Sequence, residues 1–520
     1  MPKIALIRPP QVMPYDVLSI SQGVPQIALA YLSSALKRAG HQVTIIDALG
    51  EDLNKFNKIE DTKLLVNGLT ANEIINLIPT DVDIIGISCT FSNEWVYSRI
   101  VVTTIARAFP QVPIIIGGEH VTADPEYSLR TAEGITACVL GEGEETIVDL
   151  VNAITNKRPL NRVAGLAFYD EKGIFVKTEP RARIRAISDI AWPDWENYPL
   201  ENYLSQGFGF NQVRGRPMPL IASRGCPYQC TFCSNPLMWT TRWVARDPID
   251  VIHEIKFYIQ TYQINHIEFY DLTAIVKKSW ILEFTQLLIK ANLQITWSLP
   301  SGTRSEALDL ETLTLLKKAG CNKLTYAPES GSEATLKRIK KQINLKNMID
   351  SIQSAHKARI RVKSNIIFGF PGQTLGECFE TFSFLAKTAW VGMYDVALFS
   401  FVPYPGSELF IQLVESGEIP KNSAEYDRFL SGNILGDVAG MKSWSEHITD
   451  LQLKLLLIAG FFWFYLLSFF FRPYRLIGVI SRLIKSQPET TLDILIDGVI
   501  RNIIKGRKST VINSIKIYNE

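Results

Sequence analysis

This chain of 520 residues is poor in the groups that mark several protein classes. It has only seven cysteines, too few and too scattered for a disulfide-stapled secreted scaffold. Its formal net charge is +2, far from the strongly basic balance of a dedicated nucleic-acid binder, so no nucleic-acid partner is expected. The amino terminus, Met1-Pro2-Lys3-Ile4-Ala5-Leu6-Ile7, lacks the apolar core and small-residue cleavage site of a secretory signal and reads directly as a strand. A reducing cytoplasm is the expected compartment. With 47% hydrophobic and 20% charged residues the composition is that of a globular protein, and the length calls for several domains.

What is present is concentrated. Three of the seven cysteines fall within eight residues, Cys226-Pro-Tyr-Gln-Cys230-Thr-Phe-Cys233. The others, Cys89, Cys138, Cys321 and Cys378, read as small apolar core residues. Three thiolates cannot close a tetrahedral zinc shell, which wants four ligands. A fourth from His or Asp would make a zinc-stabilised interaction protein. Three thiolates can instead hold an iron–sulfur cluster with one iron left open to a small molecule.

Two alternating series surround this stretch. In residues 1–155, apolar runs at Lys3–Ile7, Gln42–Ile46, Asp83–Ser88, Val112–Ile116 and Ala137–Leu140 alternate with helical periods. The pattern predicts a doubly wound parallel sheet, with ligands beyond the carboxyl ends of its strands. Those ends are small or polar: Ser88-Cys89-Thr90, Gly117-Gly118-Glu119-His120 and Gly141-Glu142-Gly143-Glu144. Residues 156–205 read as a linker, with a hairpin signal at Asp170-Glu171-Lys172-Gly173 and then Trp-, Pro- and Asp-rich sequence. In residues 206–415 six more strand–helix units predict a partial (β/α)6 barrel, whose working face is at the carboxyl ends of its strands. The cysteines follow its first strand.

Cys-x-x-x-Cys-x-x-Cys with Phe232 before the last cysteine resembles the radical S-adenosylmethionine (SAM) enzymes. The resemblance continues in order: Glu268-Phe269-Tyr270-Asp271, Trp297-x(6)-Arg304, Ala327-Pro328-Glu329-Ser330-Gly331-Ser332, Phe368-Gly369-Phe370-Pro371-Gly372 and Pro403-Tyr404-Pro405-Gly406-Ser407. Ser88-x-Thr90 and, further on, Gly117-Gly118 are similar to a cobalamin-binding domain, although that family's Asp-x-His-x-x-Gly signature is absent from the loop after the first strand. Together these features look like a cobalamin-binding radical SAM enzyme. The resemblance implies that Cys226, Cys230 and Cys233 hold a 4Fe–4S cluster and that Phe232, Asp271, Arg304, Glu329 and Ser330 contact SAM. It implies that Ser88, Thr90, Gly117, Gly118, Glu119, Gly141 and Glu142 line the cobalamin slot. The implied chemistry is methylation of an unactivated carbon, through a 5′-deoxyadenosyl radical and methylcobalamin, with a reducing partner such as flavodoxin or ferredoxin. Alternatives are a non-methylating relative such as a tetrapyrrole ring cyclase, and a cobalamin- or Fe–S-binding sensor without turnover.

Residues 416–520 depart from the alternation and read as mostly helical. Leu455–Phe471 is 17 residues without a charge, ended by Arg472-Pro473. As a helix it would be about 25 Å long, short of a ~30 Å hydrocarbon core. The basic amphipathic sequence after it suits a membrane surface, so peripheral membrane contact and a small-molecule or lipid-like substrate are expected. A buried helix packed on the barrel is the alternative, and a true span the last.

Overall fold

The computed structural model describes residues 1–14, 23–59, 64–210, 215–304, 308–421, 423–432, 440–485 and 487–504. Its amino-terminal sheet has seven strands in the order Phe175–Lys177, Leu166–Tyr169, Ile135–Val139, Ile114–Gly117, Ile84–Ser88, Lys3–Arg8, Gln42–Asp47. The last five are parallel, and their connections put helices such as Ile27–Arg38 and Trp95–Ala108 on the faces. Runs such as Ile84-Ile85-Gly86-Ile87 are apolar at successive positions because both faces of a parallel sheet are covered. The doubly wound parallel sheet expected from the alternation is what the chain forms.

The expected linker needs correction at its start. Its hairpin is part of the sheet: Leu166–Tyr169 pairs antiparallel with Ile135–Val139, and Phe175–Lys177 forms the edge. Burial of Leu166, Ala167 and Phe168 rewards that pairing. Further along, Trp195 donates to Tyr258, and Tyr198 and Tyr203 donate to Asp47. Trp195, Tyr198, Leu200, Tyr203 and Leu204 are buried in the larger core, which runs from the first sheet into the second. A small antiparallel sheet of Gln11–Pro14, Leu64–Asn67 and Phe56–Lys58 went unanticipated.

The second sheet has six strands in sequence order: Pro217–Leu220, His266–Phe269, Thr296–Thr303, Cys321–Glu329, Arg361–Phe368 and Asp395–Ser400, all parallel. This is the expected partial barrel.

The apolar helix runs from Asp450 to Phe471, 22 residues, longer than the charge-free run because Thr449 and Gln452 form a capping box one turn earlier. It is docked on the barrel. Gly460 sits against Leu398 and Phe382, and the Tyr465 hydroxyl donates to Asp395. Helices Tyr474–Ile484 and Thr491–Ile504 follow.

Candidate functional site

The cysteine loop begins where the short strand Ser223–Arg224 pairs with Val244–Ala245, which closes the loop at its base. Gly225 turns the chain at φ +83°, and a Cβ there would lie 2.2 Å from the Arg242 carbonyl, so only glycine fits. The loop is stitched to later barrel loops by Thr231 N–H donating to the Ile339 carbonyl (3.1 Å) and Leu409 N–H donating to that of Thr231 (2.9 Å). Asp271 is buried beneath it and accepts from the Ala222 N–H (3.1 Å) and the Ser223 hydroxyl (2.5 Å). Asp271 therefore ties the base of the loop and is not a free acceptor at the mouth; burial pushes its carboxyl up to about 6.

Cys226, Cys230 and Cys233 are half-buried, and Cys230 and Cys233 each feel the charge of Cys226. Burial raises both thiols, Cys233 to about 12, while Lys341 and Arg304 oppose the rise at Cys230. Two donors already point at sulfur: Thr273 Oγ1 lies 3.5 Å from Cys226 Sγ, and Asn235 N–H 3.4 Å from Cys233 Sγ. Donors of this kind stabilise thiolate sulfur and tune iron–sulfur centres, so the loop fits a cluster. Among the described residues no three His, Cys, Asp or Glu are grouped tightly enough for a single metal ion, and this includes the three cysteines.

The other residues read from the barrel divide. Arg304 stacks over the Tyr228 ring at 3.8 Å and donates to the Gln342 carbonyl. Glu329, at φ +66°, pairs with Lys341 at 3.0 Å; both lie close enough to Cys230 to affect its thiol. Phe232 packs on Phe370 at 5.7 Å with Lys341 over its ring at 5.8 Å. Ser330 turns away instead: it is fully buried, 3.2 Å from Thr381, and accepts from the Ser332 N–H (3.1 Å). Its small size lets the strand end pack on helix Leu375–Val391, which carries Thr381. Lys341 was missed, because nothing in Lys340-Lys341-Gln342 separates it from a surface lysine.

At the carboxyl ends of the first sheet, Gln26 Nε2 donates to both Ser88 Oγ and Thr90 Oγ1 at 2.8 Å. Gln26 Oε1, buried beside them, has no partner among the described residues. The Gln26 N–H donates to Tyr198 OH (2.8 Å), and Tyr198 in turn donates to buried Asp47, which also binds Tyr203 and Arg8. Gly118 is at φ +124°, with room for a Cβ only by entering the Cys89 carbonyl at 2.5 Å; Gly117 has ordinary space beside Val139. Gly141, at φ +73°, opens toward space with only the Met238 carbonyl at 4.0 Å. An orphaned acceptor next to two hydroxyls, under a glycine-opened edge, fits a polar ligand at these strand ends.

Three acids from these ends reach the cysteine loop, which the sequence did not reveal. Glu119 accepts from the Ser234 hydroxyl, one residue past Cys233. Glu144 pairs with buried Arg224, whose guanidinium also lies 3.7 Å from Glu142 and over the Tyr31 ring at 5.1 Å. Glu142 accepts from Ile184 N–H (2.9 Å) and Arg183 (3.2 Å), and Arg183 binds the carbonyls of Trp239 and Arg242 in the loop. Glu142 and Gly118 thus have structural duties that explain them without a ligand.

Two family models match the chain: the Radical SAM superfamily over residues 220–385 and the B12 binding domain over residues 16–151. An uncharacterized methyltransferase of Pyrococcus horikoshii is 32% identical, covering 78% of this chain and 82% of that one. Cytidylyl-2-hydroxyethylphosphonate methyltransferase of Streptomyces wedmorensis is 25% identical over 82% and 84% of the two chains. Anaerobic magnesium-protoporphyrin IX monomethyl ester cyclase of Rubrivivax gelatinosus is 27% identical over 76% and 67%. The solved structure of the radical SAM methyltransferase TsrM from Kitasatospora setae, with cobalamin and a [4Fe-4S] cluster bound, superposes with a TM-score of 0.62 at 16% identity, covering 82% of this chain and 80% of that one.

Proposed function

The chain belongs to the cobalamin-binding radical SAM enzymes, whose cofactors are a 4Fe–4S cluster, SAM and cobalamin, and from that membership we propose that it transfers a methyl group to an unactivated carbon. The observation that carries the proposal is the direct attachment of the cysteine loop to the strand ends of the other domain, through Glu119–Ser234 and Glu144–Arg224. A carbon without a lone pair cannot attack the sulfonium of SAM, so a radical route is needed, and cofactors carry that chemistry. When bound, the cluster with SAM supplies hydrogen-atom abstraction and cobalamin supplies the methyl group.

The residues' part is to hold the two centres in one arrangement. Cys226, Cys230 and Cys233 would ligate the cluster, with Thr273 and the Asn235 N–H donating to sulfur. Arg304, its guanidinium over the Tyr228 ring, is suited to a carboxylate, and buried Glu329, paired with Lys341, to an ammonium or hydroxyl group. Ser88, Thr90 and Gln26 Oε1, unpartnered among the described residues, would meet polar groups of cobalamin, and the turns at Gly117 and Gly141 would give it room. Phe232, Phe370 and Phe401, packed in series with tilted rings at 5.7 and 5.0 Å, would form an apolar wall that keeps water from the radical. A flavodoxin- or ferredoxin-like reductant and a lipid-like substrate complete the proposal.

Anaerobic reconstitution with cobalamin, followed by addition of SAM and a reductant, tests it. Mass spectrometry should find 5′-deoxyadenosine, S-adenosylhomocysteine and a product heavier by one CH₂. Cys230→Ala should lose the cluster and SAM cleavage together, and cleavage that survives this change defeats the assignment. The ring-cyclase reading is favoured by the Rubrivivax relative; it predicts 5′-deoxyadenosine without the added CH₂. A sensor predicts neither product.

A further inference from the structure

The helix Asp450–Phe471 buries one side against the barrel and leaves the other uncovered. Every exposed residue from Leu451 to Phe470 is apolar, among them Leu455, Ile458, Phe462 and Leu466. A helix on a water-facing surface normally turns polar residues outward. The face continues around Arg472-Pro473 onto the next helix through Ile477, Ile480 and Ile484. Phe470 is 77% exposed and Ile484 79%, so these side chains are not grazed by solvent but stand in it. Trp390 from the neighbouring helix, in edge contact with Phe471 at 4.8 Å, widens the face with a further exposed aromatic ring. An apolar surface of this extent marks an interaction site.

We propose that the chain docks on an anionic lipid bilayer through this face. Protein–protein interfaces mix polar atoms among apolar ones and are only about 56–65% apolar. A stripe on which every exposed residue is apolar suits hydrocarbon better than another folded surface. Charge points the same way. Lys485 is exposed at the end of the second helix, and the sequence from residue 501 on carries Arg501, Lys505, Arg507, Lys508 and Lys516 against the single acid Glu520. Basic clusters that follow apolar helices in the sequence favour anionic leaflets. The helix lies on the bilayer and does not cross it, because its inner side is bonded to the barrel. From its buried side the Tyr465 hydroxyl donates to Asp395 (2.5 Å), and just past its end Arg472 and Arg475 donate to the Ala389 and Gly392 carbonyls (2.8 Å each). Docking stands apart from catalysis; only its consequence, delivery of a lipid-like substrate, rests on the proposed function.

Flotation of the full-length chain with phosphatidylcholine vesicles, with and without phosphatidylglycerol, tests the docking. The chain should float with anionic vesicles, and binding should drop about tenfold or more without the anionic lipid or at high salt. The double variant Phe462→Glu with Phe470→Glu should lose binding at least about tenfold while still yielding 5′-deoxyadenosine from SAM. Ile100→Glu, at a half-exposed position on the other domain, should float as the parent does. Failure of the parent to float with either vesicle overturns the proposal, as does a double variant that floats unchanged. A concentration-dependent dimer that the double variant dissolves, with vesicles ignored, assigns the face to a second copy and overturns it as well. If the variant misfolds, quenching of the parent's tryptophans by brominated lipid decides: no quenching means no docking.

Discussion

Arg224 and Glu144 join the two domains at the base of the cysteine loop, and Glu144→Gln tests how much that joint matters. Both side chains are nearly buried, 6% and 10% exposed. Removing one partner of a buried pair typically costs about 3–5 kcal/mol, because the survivor is left charged and dry. Here the survivor is not alone. Glu142 stays 3.7 Å away, and at an effective dielectric of about 20 that separation still gives roughly 4 kcal/mol of attraction before desolvation. The Tyr31 ring contributes beneath the guanidinium. Glutamine also keeps the shape and an accepting oxygen. The loss should therefore fall near a single charge-assisted hydrogen bond, about 2 kcal/mol. A cycle of Glu144→Gln, Arg224→Met and the double variant, followed by urea unfolding of the apo chain, should give a coupling of about 2 kcal/mol, with the double variant recovering part of the loss. Iron per chain after anaerobic reconstitution should fall in Glu144→Gln, since Arg224 is two residues before Cys226. Effects that add to within about 0.5 kcal/mol, with full iron content in each single variant, would refute the idea that this pair holds the loop.

Gly118→Ala should strain both a left-handed backbone and the contact with the Cys89 carbonyl; a cost of about 2 kcal/mol or more and weaker cobalamin retention on gel filtration are expected. His266 is fully buried between Thr296 and Ser298, and burial, with Lys323 adding, lowers its imidazole to about 3. The unfolded chain then binds the proton that the folded one refuses, so its contribution is complete above pH 6.5 and is lost as pH falls toward 3. At pH 5 that is about 2 kcal/mol, and His266→Gln should flatten the acid limb of a thermal-denaturation profile. Tyr465→Phe removes the hydroxyl that Asp395 accepts and should loosen the docked helix by about 1–2 kcal/mol, seen as faster amide exchange from residue 450 to 471.

The sequence was most readable where one local pattern decided the outcome. Apolar runs alternating with helical periods predicted all five parallel strands of the first sheet and all six of the second; in the first, strands buried on both faces leave little room for polar residues, while the second tolerates polar residues such as Lys363 and Asn365 between buried ones. Three cysteines in eight residues were enough to single out the loop proposed to hold the cluster. Contacts between distant segments left no such trace. Glu144 and Arg224 are 80 positions apart, and each alone resembles a surface charge. Ser330 and Asp271 match the site by register, yet a serine or an aspartate at a strand end serves packing and loop anchoring equally well, and only the direction of the side chain separates these roles. The apolar helix outruns its charge-free stretch because missing charge does not mark where a helix begins; caps do, here Thr449 and Gln452.

The polarity of the joint between the domains has a physical reason. The loop bearing the cysteines lies at the carboxyl ends of one sheet, and the acids that grip it lie at the carboxyl ends of the other. An apolar joint could slide, since dispersion contacts scarcely distinguish nearby registers. Ion pairs with buried guanidinium groups do distinguish them: moving Arg224 or Arg183 by a few ångströms would strand a charge away from Glu144 or Glu142, at a cost of several kcal/mol. The chain uses two such pairs and the Glu119–Ser234 bond, and all three meet the same loop. Chemistry between two cofactors needs a fixed distance between them more than it needs a tightly bound pair of domains. Loss of these contacts should therefore separate SAM cleavage, which needs only the barrel, from product formation, which needs both domains. In Glu144→Gln combined with Glu142→Gln, any clusters that do assemble should still give 5′-deoxyadenosine while the CH₂-bearing product falls by a larger factor. An equal fall in both would show that the pairs support the cluster alone and do not set the distance between the two centres.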